Sequence, residues 1–320
     1  MGIIPDFGDV VNAAERIRPY IHHTPLVTSR TLNRMTGAEL YFKPENLQRT
    51  GSFKARGGCN AVFSLTDAEA QRGVATHSSG NHAQAVAYAA AVRGISATIV
   101  MPENAPPVKV AAVRDYGAEI VWAGSHPLDR ERELEAVLES TGALFIHPSN
   151  DPRVIAGQGT AALELLDDVA ACSDRPLDLV MTPVGGGGLL AGTALAVAAR
   201  GAGARTIGAE PQAVDDAYRS LRDGRIYPPP EAETVADGLR TFLGDVNFPI
   251  IQAKVAEILT VTEAGIIGAM RLFWERTKLI IEPSSAVPLA ALFEHPAFFR
   301  ERRVGIVLSG GNADLDHLLW

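Results

Sequence analysis

The chain has 320 residues, 47% hydrophobic and 21% charged, proportions of a globular protein that exclude disordered, collagen-like and coiled-coil architectures. Asp and Glu outnumber Lys and Arg by 37 to 29, and the resulting net charge of −8 argues against a general nucleic-acid binder. Two cysteines, Cys59 and Cys172, are too few for a disulfide framework and point to a reducing compartment.

The N-terminal stretch Met1–Asp6 lacks the basic start and apolar core of a signal peptide, and Asp6 stands where a myristoylation signal carries Ser or Thr. The longest apolar run, Leu189–Ala199, is interrupted by Gly192 and Thr193 and falls short of the roughly 20 residues of a spanning helix. The expectation is a cytoplasmic protein with neither membrane nor nucleic acid as partner.

Further along, short apolar runs alternate with Ala-rich helical stretches. Gly73–Thr76 reads as a buried strand and Asn81–Arg93 as the helix after it. Ala97–Met101 and Pro107–Tyr116 repeat the pair, with proline at the helix start. Glu119–Trp122 is a third strand, followed by a charged helix over about Pro127–Ser140. Asp178–Met181, the helix after Gly188, Arg205–Gly208 and Val304–Leu308 continue the rhythm. Strands alternating with helices require parallel sheets covered on both faces, so the fold class is α/β. His147–Pro152 is one break in the pattern. Asp223–Thr234, with Pro228-Pro229-Pro230, is another and a candidate linker. The expected division is a small domain at 71–146 inserted in a larger one made of 1–70 and 147–320.

Four turns carry chemistry. In Thr50-Gly51-Ser52-Phe53-Lys54-Ala55-Arg56-Gly57, Ser52 is a candidate N-cap and Lys54 falls in the first helical turn. The positive end of the helix dipole disfavours a cation there, which would lower the ammonium pKa and suit an amine that bonds to a carbonyl. An exposed lysine at a helix start is the plain alternative. Gly185-Gly186-Gly187-Gly188-Leu189 follows a strand and opens a helix, so backbone N–H groups can converge on an anion such as phosphate. Without a following Gly-Lys-Ser/Thr it is no P-loop, and a tight strand-to-helix turn would look the same. His77-Ser78-Ser79-Gly80-Asn81-His82 collects hydroxyl, amide and imidazole groups at a strand end, where ligands of open α/β sheets gather. Leu308-Ser309-Gly310-Gly311-Asn312 is another strand-end turn with a hydroxyl. Together they ask for a ligand bearing a phosphate and a group that reacts with an amine. Pyridoxal 5′-phosphate meets both requirements.

Thr50–Gly57, Ser78–His82, Gly185–Leu189 and Ser309–Asn312 resemble the signatures of fold-type II pyridoxal-phosphate enzymes, the tryptophan synthase β-like fold. The resemblance is strongest to the serine/threonine dehydratase and serine racemase branch, which includes 3-hydroxyaspartate dehydratases. It extends to Val154–Thr160 and Ile281–Ser285. It implies two open, twisted, mostly parallel sheets flanked by helices, and a homodimer. By resemblance Lys54 holds the cofactor covalently, Phe53 packs beside it, and Asn81 bonds its 3′-oxygen. The backbone of Gly185, Gly186, Gly187, Gly188 and Leu189 cups the phosphate, and Ser309 meets the ring nitrogen. A neutral hydroxyl leaves that nitrogen largely unprotonated, which favours expulsion of a β-substituent over transamination. The implied activity is α,β-elimination from a β-hydroxy amino acid (threonine, serine or 3-hydroxyaspartate) to a 2-oxo acid and ammonia.

Under the same resemblance Lys54 takes the Cα proton, while Ser78, Ser79, Gly80, Asn81 and His82 grip the α-carboxylate. Ser79 is also the candidate acid/base on the face opposite Lys54, which would permit racemisation; a helix cap is its plainer role. His77, Arg130 and Thr241 are candidates for a second carboxylate on the substrate, which would favour 3-hydroxyaspartate. Arg130 equally suits a solvated position in the charge run Asp129–Glu133. Glu210, the Val214 carbonyl and Asp216 would hold Mg²⁺, or Ca²⁺ or Mn²⁺, although two acidic residues at this spacing are common. Cys59 reads as a packed helix thiol. The chain ends eight residues after Asn312, so no isoleucine feedback is expected. β-Replacement on the same fold, serine racemase with side dehydratase activity, and a non-catalytic phosphate-binding module remain the alternatives.

Overall fold

The computed structural model describes residues 3–78, 80–105, 107–124 and 126–320, without the side chains of Val108 and Pro127. Its strands are β1 (Glu39–Pro44), β2 (Val74–His77), β3 (Ala97–Pro102), β4 (Glu119–Ala123), β5 (Leu144–Phe145), β6 (Leu179–Pro183), β7 (Arg205–Pro211), β8 (Val255–Val261) and β9 (Arg303–Leu308). Among the described residues they form a five-stranded sheet in the order β1-β9-β6-β7-β8 and a four-stranded sheet in the order β4-β3-β2-β5. Every pairing between them is parallel. Helices separate consecutive strands, as parallel pairing requires. The protein is an α/β fold with two parallel sheets flanked by helices.

The alternation read from the sequence is present, with three additions. β1, β5 and β8 belong to the sheets but carry no clean apolar run. β1 places Lys43 fully inside, where its ammonium meets Glu164 at 2.9 Å and Asp168 at 2.8 Å. β8 lies at a sheet edge with Ala256 and Glu257 exposed. The Asp223–Thr234 segment is irregular as expected, but it does not link the two sheets. It runs between β7 and β8, which are neighbours in one sheet.

The large sheet buries Phe42, Met181, Ile306 and Leu308 against helices, and the small sheet buries Val74, Ile99 and Met101. Between them the helices Lys54–Phe63, Pro152–Cys172 and Gly188–Arg200 touch through backbone. A Cβ on Gly157 would lie 2.6 Å from the Arg56 carbonyl oxygen, and one on Gly192 would lie 2.4 Å from the Ile155 carbonyl oxygen. Glycine is therefore what lets the Lys54 helix and the glycine-turn helix share the central helix as a common support. Gly192→Ala forces backbone apart and is expected to destabilise by about 1–3 kcal/mol. A fall in the urea midpoint at constant slope would report this, and an unchanged midpoint would refute it.

Candidate active site

The turns singled out in the sequence meet at the carboxyl ends of parallel strands, the usual ligand position in open α/β sheets. β2 ends at His77, β6 at Pro183 and β9 at Leu308. The Lys54 turn docks on the last of these. Ser52 and Gly310 form an antiparallel bridge, Phe53 N–H donates to the Ser309 carbonyl at 2.9 Å, and Gly311 N–H donates to the Gly51 carbonyl at 2.9 Å. Residues some 250 apart in sequence thereby form one wall.

Lys54 Nζ donates to the Pro148 carbonyl at 2.8 Å and lies 5.1 Å from the centroid of the Phe53 ring. Burial lowers its pKa to about 8, against an opposing pull from the Glu282 carboxylate. Ser52 does not cap the helix. It is extended, and its buried hydroxyl has no partner among the described residues, because Phe53 already adopts helical dihedrals and no side chain accepts at the helix start. Cys59 is buried and its thiol is pushed up to about 12, which makes it a packing group and no nucleophile.

The glycine turn is pressed against neighbours that leave no room for side chains. A Cβ on Gly186 would sit 2.4 Å from Ser149 Oγ, and one on Gly185 would sit 2.9 Å from Leu239 Cα. Gly187 adopts φ +78 as the residue before the helix Gly188–Arg200, and no side chain caps that helix. Among the described residues, no acceptor serves the N–H groups of Gly185, Gly186, Gly187, Gly188 or Leu189. Five free donors on a helix N-terminus are the chemistry of a phosphate cradle. Thr241 is exposed with its methyl at the rim of this turn, 3.3 Å from the Gly186 Cβ position.

Around the β2 end, Ser78 Oγ accepts from Gly80 N–H at 3.2 Å and shapes the turn, whereas Ser79 lies outside the described residues. Asn81 Nδ2 donates to both oxygens of Glu282, at 3.0 and 3.1 Å, and its Oδ1 accepts from Asn312 Nδ2 at 2.8 Å. His82 is buried with Nε2 at 3.0 Å from the Ile146 carbonyl, so its ring serves the small-sheet core and its backbone is what faces the turn. His77 stacks on Phe145 and meets His147 edge-on, and burial together with the Arg130 charge lowers its pKa. Arg130 is half-buried, and its buried Nε has no acceptor among the described residues. Glu131 and Arg132 beside it are exposed, so Arg130 is not simply part of the solvated charge run.

Three participants were not singled out in the sequence. His147 Nδ1 accepts from the N–H groups of Ser149 and Asn150 at 3.1 and 2.9 Å, and burial beside His77 and Lys54 pushes its pKa down to about 4. Ser149 backs the glycine turn. Glu282 is buried with its carboxyl pushed up to about 7. The break at His147–Pro152 and the Ile281–Ser285 motif marked these segments, but their contacts are long-range. Ser309 Oγ meets Ser285 Oγ at 3.0 Å, a pairing of neutral hydroxyls.

At the end of β7, Glu210 accepts from the N–H groups of Ala217 and Tyr218 at 2.9 and 2.8 Å. Asp216 is buried, with neither oxygen partnered among the described residues, and Val214 is buried beside it in the sequence. Burial pushes the Asp216 carboxyl up to about 7 and Glu210 well above the usual range, the Asp216 charge adding to the latter. Among the described residues no group of three or more His, Cys, Asp or Glu side chains is placed to hold a metal ion, so any cation here would rely on carbonyl oxygens and water for the rest of its shell.

The description of pyridoxal-phosphate-dependent enzymes matches residues 17–310 of the chain. A beta-hydroxyaspartate dehydratase of Paracoccus denitrificans is 48% identical over 317 residues, covering 99% of each chain. A serine racemase of Dictyostelium discoideum is 46% identical over 316 residues, covering 97% of this chain and 95% of that protein. Among solved structures, a maize serine racemase superposes with a TM-score of 0.94 at 42% identity, covering 98% of this chain and 95% of that one.

With a folded-state pKa near 8, Lys54 is charged below that pH and a free nucleophile above it. Competitive acetylation of the cofactor-free chain, read by mass spectrometry across pH, is expected to give Lys54 a midpoint near 8. A midpoint at the ordinary lysine value of 10.5 would remove the desolvation argument.

Proposed function

Since the chain belongs to the family of pyridoxal-phosphate-dependent enzymes, we propose that it is a lyase that converts a β-hydroxy amino acid with a second carboxylate, 3-hydroxyaspartate ahead of threonine or serine, to a 2-oxo acid and ammonia. The observation that carries the substrate choice is Arg130, half-buried, with an Nε that has no partner among the described residues and a charge that lowers the His77 pKa. A half-buried cation opposed only in part by the neighbouring Glu131 charge favours an anionic guest, and guanidinium matches carboxylate in shape. The beta-hydroxyaspartate dehydratase relative supports the same reading.

The residues present fit pyridoxal phosphate: five free N–H donors for a phosphate, an amine of lowered pKa, and a neutral hydroxyl pair at Ser309. When bound, the group supplies an electron sink for the charge left at Cα. Phe53 and Lys54 form one wall; Lys54 would hold the group, and its amine would take the Cα proton. Ser78, Ser79, Gly80, Asn81 and His82 bind the α-carboxylate through hydroxyls and N–H groups, and Arg130 with His77 binds the distal one. Thr241 adds a hydroxyl at the rim. Asn81, held by Glu282 and Asn312, presents its amide at a set angle for the ring oxygen. Ser309 offers its hydroxyl to the ring nitrogen. The Cβ–O bond breaks with loss of water, and hydrolysis of the released product yields the 2-oxo acid and ammonia.

Racemisation is a second reading, favoured by the serine racemase relative, with Ser79 as the base on the opposite face. We place Mg²⁺, or a similar hard cation, at Glu210, the Val214 carbonyl and Asp216, because two buried carboxylates, one with both oxygens unpartnered among the described residues, favour a cation. The rest of the reading is a cytoplasmic homodimer with residues 71–146 as a small domain. No described helix is long and apolar enough to cross a membrane.

A panel of serine, threonine and both 3-hydroxyaspartate diastereomers, read by 2-oxo acid and by chirality of residual substrate, tests the function. Lys54→Ala is expected to abolish 2-oxo acid formation in a folded chain, and turnover retained by that variant would overturn the assignment. Arg130→Ala is expected to lower kcat/KM for 3-hydroxyaspartate about 100-fold and leave threonine nearly unchanged. Equal losses on both substrates would remove Arg130 from the choice of substrate. Mg²⁺ is expected to raise the Tm of the wild type and not of Asp216→Asn; an equal rise in both would remove the metal site.

A further inference from the structure

We infer that Asn247 is a positioning residue for the phosphate cradle, setting the direction of the peptide between Gly186 and Gly187. The inference rests on the reading that the glycine turn receives the phosphate of pyridoxal phosphate.

Asn247 is fully buried at the start of the helix Phe248–Lys254. Its Nδ2 donates to the Gly186 carbonyl at 2.8 Å and to the Ser149 carbonyl at 3.1 Å, and its Oδ1 accepts from Gly244 N–H at 3.1 Å. Both amide protons are thus spent on carbonyls of two different loops. The amide also packs directly on the turn, since a Cβ on Gly187 would lie 2.8 Å from Asn247 Oδ1.

In a trans peptide the carbonyl and the following N–H point in opposite directions. Anchoring the Gly186 oxygen on Asn247 therefore aims the Gly187 N–H away from Asn247, and that N–H has no acceptor among the described residues. Glycine on both sides of the bond permits the opposite orientation at little steric cost, because either residue can take positive or negative φ. Reversal would replace a donor by a carbonyl oxygen facing the anion. Asn247 holds the peptide against that reversal. It also ties the turn to Ser149, the residue after the carbonyl that receives Lys54. The segment carrying Asn247 is itself held by Asn150, whose Oδ1 accepts from Val246 N–H at 2.9 Å and Asn247 N–H at 3.3 Å.

Asn247→Asp keeps the shape but replaces the donor by an oxygen facing two carbonyls. In the cofactor-free chain, checked for native circular dichroism, the Kd for pyridoxal phosphate is expected to rise about 10- to 100-fold. The Kd for pyridoxal, which lacks the phosphate, is expected to stay within about twofold, and the Tm rise given to the wild type by inorganic phosphate is expected to disappear. Equal weakening of pyridoxal and pyridoxal phosphate would mean general damage and overturn the inference, as would unchanged affinity for both. If Asn247→Asp does not fold, Asn150→Ala, whose side chain is only half-buried, carries the same comparison with the same two outcomes. A wild type that does not prefer pyridoxal phosphate to pyridoxal would instead overturn the reading of the turn itself.

Discussion

A lysine ammonium withdrawn from water and given one carbonyl to hold is the constraint around which this molecule is arranged. Lys54 bonds to Pro148, and burial brings its pKa to about 8, close enough to neutrality for an amine to act as nucleophile and base. Such an amine keeps its lowered value only while it stays out of water, and the Pro148 carbonyl fixes where it points. Pro148 lies in the loop whose next residue, Ser149, is packed against Gly186. The amine and the glycine turn therefore share a wall, and a displacement of that loop would disturb both.

Charge follows the same local logic. The chain is acidic as a whole, with a net charge of −8, yet Arg130, Lys54, His77 and His147 crowd the ends of β2 and the 147–150 loop. The imidazoles stay neutral there because burial and neighbouring cations both oppose protonation. Elsewhere in the site the Ser309 hydroxyl meets the hydroxyl of Ser285, while the buried Glu282 is turned to Asn81. A carboxylate is close at hand but is spent on orienting an amide, which leaves Ser309 with a neutral hydroxyl as its neighbour.

Helix packing supplies the rigidity. Gly157 and Gly192 bring backbone onto backbone, so the helices that begin at Lys54 and Gly188 rest on the same central helix. Their N-termini are held relative to one another by atoms that cannot change rotamer. That suits a site whose two halves, an amine and an anion cradle, must match one rigid ligand.

What the amino-acid sequence determined by itself is what depends on neighbours along the chain. The period of β2, β3, β4, β6, β7 and β9 and the helices between them was legible, as were the glycine run and the Lys54, Ser78–His82 and Ser309 turns, because each is a local pattern of shape and polarity. Tertiary structure alone decided the rest. β1 was hidden because Lys43 breaks its apolar run, and only Glu164 and Asp168, far along the chain, make that lysine tolerable inside. Ser52 stood at a helix start but its hydroxyl caps nothing, because docking on Gly310 holds it extended. Whether Arg130 was solvated, and which partners Ser149, Glu282 and Asn247 meet, depended on burial and on segments distant along the chain. Desolvation and long-range hydrogen bonds are properties of the folded molecule, and no local window of sequence contains them.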